Sequence, residues 1–200
     1  MPNPLGGDRE PACFFVPSLE VDEPSQTAPF AGSRPRWLDL GSRTCAAHLA
    51  DYRREVEVLK EDLAKATRDE KVGFVRIKAR EFRIYGNVGY TAVLYDQGLD
   101  LTPPDLTLEL AWGKFNETVS LEVLPRLADA DHLFVSVDGE EQEDAAHIFR
   151  ELQLNPLWQN LPAAQQGNVY PVERRVWLNY GLLANKRKLE DIVSALGRDD

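Results

Sequence analysis

Arginines and aromatic rings are the residues of this chain whose types and spacing could do chemistry. Arg76 interrupts the otherwise apolar run Val72 to Ile77, and Arg83 and Tyr85 follow two apart in "EFRIYG". Tyr90 comes just after the glycine break "GNVG", while Arg174, Arg175 and Trp177 follow "NVYPVE". Guanidinium groups grip carboxylates and other oxyanions through forked donors. Aromatic faces cover the apolar bulk of an organic ligand. The chemistry implied is binding of a bulky, oxygen-rich, anionic molecule. The competing reading makes Trp158 and Trp177 core residues and the arginines surface charges.

The chain offers little for catalysis. It contains no G-x-x-x-x-G-K-[ST] loop, no G-x-S-x-G elbow and no G-x-G-x-x-G fingerprint, "GNVG" reading as a turn. Cys13 and Cys45 are far apart and form no C-x-x-C pair, and His48, His132 and His147 are scattered. His147 and Glu151 stand four apart, as a surface pair would. The acids of "DGEEQED" read as the solvated face of a helix. The expectation is a protein that is not an enzyme, and no motif here calls for a cofactor or a metal.

Composition narrows the partners. The 200 residues carry a net charge of −10, which disfavours nonspecific nucleic-acid binding and docking on anionic lipid. No apolar run approaches the ~20 residues of a membrane span. The start, "MPNPLGGDREPACFFVPSLEVDEP", lacks the pattern of a signal peptide. Taken alone, it leaves the chain in the cytosol.

Certain elements must position these residues. Residues 1–47, rich in Pro, Gly and Ser up to about 45, read as irregular. Leu49, Tyr52, Val56, Leu59, Leu63 and Ala66 recur at steps of three and four, so a one-sided helix is expected over 48–68. Val72 to Lys78 and Phe82 to Tyr85 alternate like two adjacent strands. Tyr90 to Gln97 reads as a helix stopped by Gly98. Ser120 fits an N-cap with Glu122 in the first turn. "HLFVSV" reads as a buried strand, and the helix after it turns Ala145, Ile148, Phe149 and Leu152 inward. A last helix over Gly181 to Leu196 places Leu182, Leu189, Ile192, Val193 and Leu196 inward. Strands alternating with helices from residue 72 onward predict an α/β sandwich with a mostly parallel sheet. Such sheets bind ligands beyond the carboxyl ends of their strands.

Four stretches in order, "VGFVRIKAREFRIYGNVGYTAVLYDQGL", "VSLEVLPRLADADHLFV", "NPLWQNLPAAQQGNVYPVERRVWLNYG" and "KLEDIVSAL", resemble the C-terminal lobe of periplasmic iron–siderophore substrate-binding proteins of ABC transporters. That group includes ferric-citrate, ferric-hydroxamate and cobalamin binders. The resemblance covers about residues 48 to 196, with 48–68 as the helix linking two lobes and 69–200 as the C-terminal α/β lobe. It implies a three-layer sandwich, a ferric siderophore held in a cleft, and docking on a membrane permease in the periplasm or cell envelope. Iron would enter only inside the chelate. Arg76, Tyr85, Tyr90, Arg174, Arg175 and Trp177 fall where such lobes contact ligand, with Arg76 and Trp177 foremost. Glu122 matches the acid that meets permease arginines.

The pattern also departs from the family. Some catecholate binders carry an arginine in the loop after "YG", where this chain has "NVGY". That weighs against a tri-catecholate and leaves hydroxamate or carboxylate chelates open. Residues 1–47 do not match an N-terminal lobe, so the chain is expected to carry one wall of the cleft. The alternative is a stand-alone α/β interaction module that pairs with itself or a partner through the lobe face left open.

Overall fold

The computed structural model describes residues 36–78, 80–139 and 142–197. The expectation of irregular structure over residues 1–35 lies outside them. The remainder of that segment is helical, because α1 runs over Arg36–Thr67. Ala46, Ala47 and His48 on it are exposed. The apolar pattern thus reveals the stretch from Leu49 onward and not where the helix starts. From there the stripe behaves as read, with Tyr52, Val56 and Leu63 buried.

Five strands form one mixed sheet in the order β3-β2-β1-β4-β5. They are β1 (Val72–Ile77), β2 (Glu81–Ile84), β3 (Glu117–Ser120), β4 (His132–Val137) and β5 (Val169–Pro171). β1, β4 and β5 are parallel neighbours, whereas β2 and β3 are antiparallel. The mostly parallel expectation therefore describes the β1-β4-β5 half. β1 and β2 form a hairpin closed by the Lys78 N–H, which donates to the Glu81 carbonyl at 2.9 Å.

Strand alternation divides the core in two. Phe74, Tyr85 and Phe134 face α1 and α7 (Leu182–Leu196), while Val75, Ile77, Phe82, Ile84, Leu133 and Val135 face the opposite layer. That layer holds α2 (Asp105–Leu110), α3 (Gln142–Gln153), α4 (Pro156–Gln159) and α5 (Pro162–Gln166). The result is the expected α/β sandwich of three layers. Trp158 is 3% exposed and packs edge-on against Phe149, as scaffold should.

Two expectations need correction. Tyr90 to Gln97 is not an α-helix: a 3-10 turn, Gly89–Thr91, leads into successive turns. Thr91, Ala92, Val93, Leu94 and Tyr95 are all buried, which no single helical face could achieve. Ser120 caps as read, accepting from the Glu122 N–H at 3.4 Å, but the segment it starts is a 3-10 helix, Leu121–Leu127, containing Pro125. The glycines of "GNVG" earn their places sterically. A Cβ at Gly86 would lie 2.1 Å from the Ala111 carbonyl oxygen, and Gly89 adopts φ +86°.

Candidate functional site

Each of the parallel strands delivers a charged residue at its carboxyl end. Arg76 is the penultimate residue of β1, Asp138 directly follows β4, and Arg174 opens α6 (Arg174–Trp177) just beyond β5. In register, Arg76 lies between Arg83 of β2 and Ser136 of β4. The Asp138 N–H donates to the Ile77 carbonyl at 2.8 Å, which extends the ladder and sets Asp138 beside Arg76.

The side chains converge there. Arg76 donates from Nε to Asp138 Oδ1 at 2.6 Å and from Nη2 to Oδ2 at 2.8 Å. Arg174 Nη1 lies 3.9 Å from the same Oδ1. Burial by itself would lower the Arg76 pKa, but hydrogen bonds to Asp138 and Tyr85 outweigh it and the value is raised. Arg76 is therefore a permanent cation. Arg83 Nε and Ser136 Oγ are buried and have no hydrogen-bond partner among the described residues. Buried polar atoms left this way are costly unless something else satisfies them.

Aromatic rings adjoin the charges. Tyr85 packs on Phe74, Tyr90 and Phe115, and Tyr90 reaches Tyr180 with centroids 4.4 Å apart. Burial, followed by the neighbouring Tyr90, raises the Tyr180 pKa. Tyr180 is 43% exposed and Tyr90 half-buried, so both present ring surface. Lys188 of α7 ties this corner together, donating to the backbone carbonyls of Tyr90 at 2.7 Å and Asn179 at 2.9 Å.

The structure separates the residues expected at the site. Arg76, Tyr90 and Arg174 stand around it with accessible surface. Tyr85 is 1% exposed and lies beneath the surface, packed on Phe74, Tyr90 and Phe115. Trp177 is a correction: it is 0% exposed, stacks between Phe74 and Phe134 at 5.1 and 4.8 Å, and donates Nε1 to Asp191 at 2.8 Å. It is core, because the strands place two rings on one face for it to lie between. Arg175 is exposed and turned toward α3, lining a hollow with Ala145, Phe149 and Val172. Glu122 is exposed in the first turn of its 3-10 helix. His147 lies 3.4 Å from Glu151, both well exposed, as the surface-pair reading has it.

Asp138, Ser136, Phe115 and Tyr180 were not legible as site residues. Asp138 begins the acidic run "DGEEQED", and nothing local separates it from the rest. Its partner lies 62 positions away. Only the strand pairing of β1 with β4 could have linked them.

No family profile matches the chain. The iron-uptake system-binding protein of Bacillus subtilis strain 168 is 30% identical over 123 residues, 61% of this chain and 37% of that protein. The Fe(3+)-citrate-binding protein YfmC of the same organism is 26% identical over 147 residues, 72% of this chain and 42% of that protein. Among solved structures, Bacillus subtilis FeuA complexed with ferri-bacillibactin superposes with a TM-score of 0.66 at 25% identity, covering 80% of this chain and 56% of that chain. A FhuD fold-family periplasmic binding protein of a Fep/Fec-like ferrichrome ABC transporter, also from Bacillus subtilis, gives 0.66 at 23% identity over 78% of this chain and 56% of that one. The relatives and fold neighbours of this chain are thus siderophore and iron-uptake substrate-binding proteins of ABC transporters, which are not enzymes. The chain spans less than half the length of the curated relatives it matches.

Proposed function

We propose that this chain binds a ferric siderophore or similar anionic iron chelate at the carboxyl end of β1, β4 and β5, and serves an ABC-type iron importer. The observation that carries the reading is the convergence of Arg76, Arg83 and Arg174 on one sheet end, with Tyr85, two residues from Arg83, leading on to the rings of Tyr90 and Tyr180. Guanidinium groups match the oxygen-rich periphery of a ferric chelate, and the rings match its organic shell. Iron held by its chelator asks for no protein ligands. The names of the relatives support the same substrate class, since one is an Fe(3+)-citrate-binding protein and FeuA was solved with ferri-bacillibactin.

In this reading α1 takes the place of the linking helix and residues 69–200 that of the C-terminal lobe. The site of action is the periplasm or cell envelope. Glu122, exposed on the rim of its 3-10 helix, is the residue offered to a permease. Glu122→Gln should leave chelate affinity intact and reduce uptake in cells dependent on this protein; normal uptake would remove Glu122 from the interface. Self-association finds less support: of the large exposed apolar residues among those described, Val58, Leu108, Leu154 and Leu183 are spread over α1, α2, the end of α3 and α7, and Val88, Trp112 and Tyr180 lie around the "GNVG" turn.

The direct experiment is calorimetric titration with ferric citrate, a ferric trihydroxamate and ferri-bacillibactin. Saturable binding of one of them, absent for the iron-free chelator, is the expected result. "NVGY" in place of an arginine-bearing loop favours citrate or the hydroxamate over the tri-catecholate. Absence of binding by all of them would reject the reading.

A further inference from the structure

A site that only had to attract anions would leave its guanidinium groups free, yet Arg76 has both Nε and Nη2 occupied by Asp138. The pair is well shielded, with side-chain exposures of 17% for Arg76 and 22% for Asp138, so bulk water and salt screen it weakly. Arg174 approaches Asp138 Oδ1 from beyond β5 at 3.9 Å. The Asp138 carboxylate therefore sits where two guanidinium groups meet, the position that an anionic group of a ligand would seek. Around it the row Arg83, Arg76, Ser136 runs across β2, β1 and β4 on one face. Arg83 Nε and Ser136 Oγ still await acceptors or donors there.

We propose that Asp138 is a specificity-determining residue, a resident carboxylate that occupies the arginine fork until a stronger anion displaces it. This rests on the reading of this sheet end as the ligand site. A single small anion gains little by taking the fork, because it replaces one bidentate carboxylate with another. A polyanionic chelate gains more: its further oxygens reach Arg83, Ser136 and Arg174 at the same time. The charges agree with this. Among the described residues the cluster holds the cations Arg76, Arg83 and Arg174 against Asp138 and against Asp144, which lines the same hollow as Asp138 and Arg174. The positive balance, three cations to two acids, attracts an anion and, by the same electrostatic complementarity, favours one carrying several charges.

The test is Asp138→Asn, which keeps the shape and one acceptor oxygen while removing the charge. Wild type and variant are titrated with ferric citrate and, separately, with inorganic sulfate. The expected result is an affinity for ferric citrate about tenfold higher in the variant, the scale of one added interaction between close charges, and sulfate binding that appears at millimolar concentration in the variant alone. Asp138→Ser, with circular dichroism of each protein, repeats the comparison if the first variant does not fold. Unchanged or weaker binding of both anions in the folded variants would overturn the proposal, because a residue that merely orients Arg76 weakens binding when removed. If neither protein binds ferric citrate but only the variants bind sulfate, the chelate reading fails while the role of Asp138 stands. If wild type binds ferric citrate and the variants match it without taking up sulfate, the chelate reading stands and the role of Asp138 falls.

Discussion

Lys188 crosses from α7 to donate a 2.7 Å hydrogen bond to the backbone carbonyl of Tyr90, 98 residues earlier in the chain. Its Nζ also donates to the Asn179 carbonyl at 2.9 Å and Asn185 Oδ1 at 3.2 Å. The ammonium thus clamps the two segments whose rings, Tyr90 and Tyr180, border the site, and it does so at 1% exposure.

Burial pushes Lys188 down from 10.5 to about 8. Between those values the unfolded chain keeps a proton that the folded chain has released, so stability should rise as pH goes from about 8 toward 10.5. The rise is at most roughly 3 kcal/mol. Above pH 10 it is opposed by Tyr52, whose phenol burial holds neutral up to about 12 in the fold, a contribution lost as pH climbs through that range. Denaturant melts of wild type and Lys188→Met across this range give the check. The variant should lack the rise; equal slopes would show that Lys188 does not titrate with folding.

Trp177 separates packing from binding. Trp177→Ala should cost about 3–5 kcal/mol, the scale of a large ring removed from a core. Trp177→Phe keeps most of the stack on Phe74 and Phe134 and loses the bond to Asp191, about 1 kcal/mol. The folded Phe variant should bind ferric chelate as wild type does. A large affinity loss with unchanged stability would return Trp177 to the ligand surface.

Gly89 holds the aromatic corner open. Its φ of +86° and the 2.4 Å approach of a would-be Cβ to Phe115 Cε2 leave no room for a side chain. Gly89→Ala should cost roughly 1–2 kcal/mol for the left-handed backbone alone, and should push Phe115 off Tyr90, now 4.7 Å away. Thermal melting and the near-ultraviolet tyrosine signal both report on this. A variant with wild-type melting and spectrum would contradict the packing described.

Much of this architecture could be read from residue patterns, and the failures share a cause. The α1 stripe, the β1–β2 hairpin, β4 and α7 announce themselves because one face is buried and the periodicity shows it. β3 escapes notice, since "ETVS" is an edge strand with Thr118 and Ser120 exposed and no apolar alternation. The 89–99 segment misleads because its buried residues are consecutive, matching neither period. Arg76 was legible as an anomaly, a cation inside a strand. Asp138 was not, because its meaning depends on the parallel pairing of β1 and β4. Trp177 and Arg174 are near neighbours in sequence, yet α6 sends one into the core and the other to the site.

Arg76→Ala decides whether the guanidinium row at the end of β1 holds a ferric chelate. Wild type and variant are titrated calorimetrically with the ferric chelate that wild type binds, after circular dichroism shows that the variant is folded. The expected result is an affinity loss of at least tenfold, about 1.4 kcal/mol, in line with the removal of a charge-assisted contact. Equal affinity for the two proteins would contradict it.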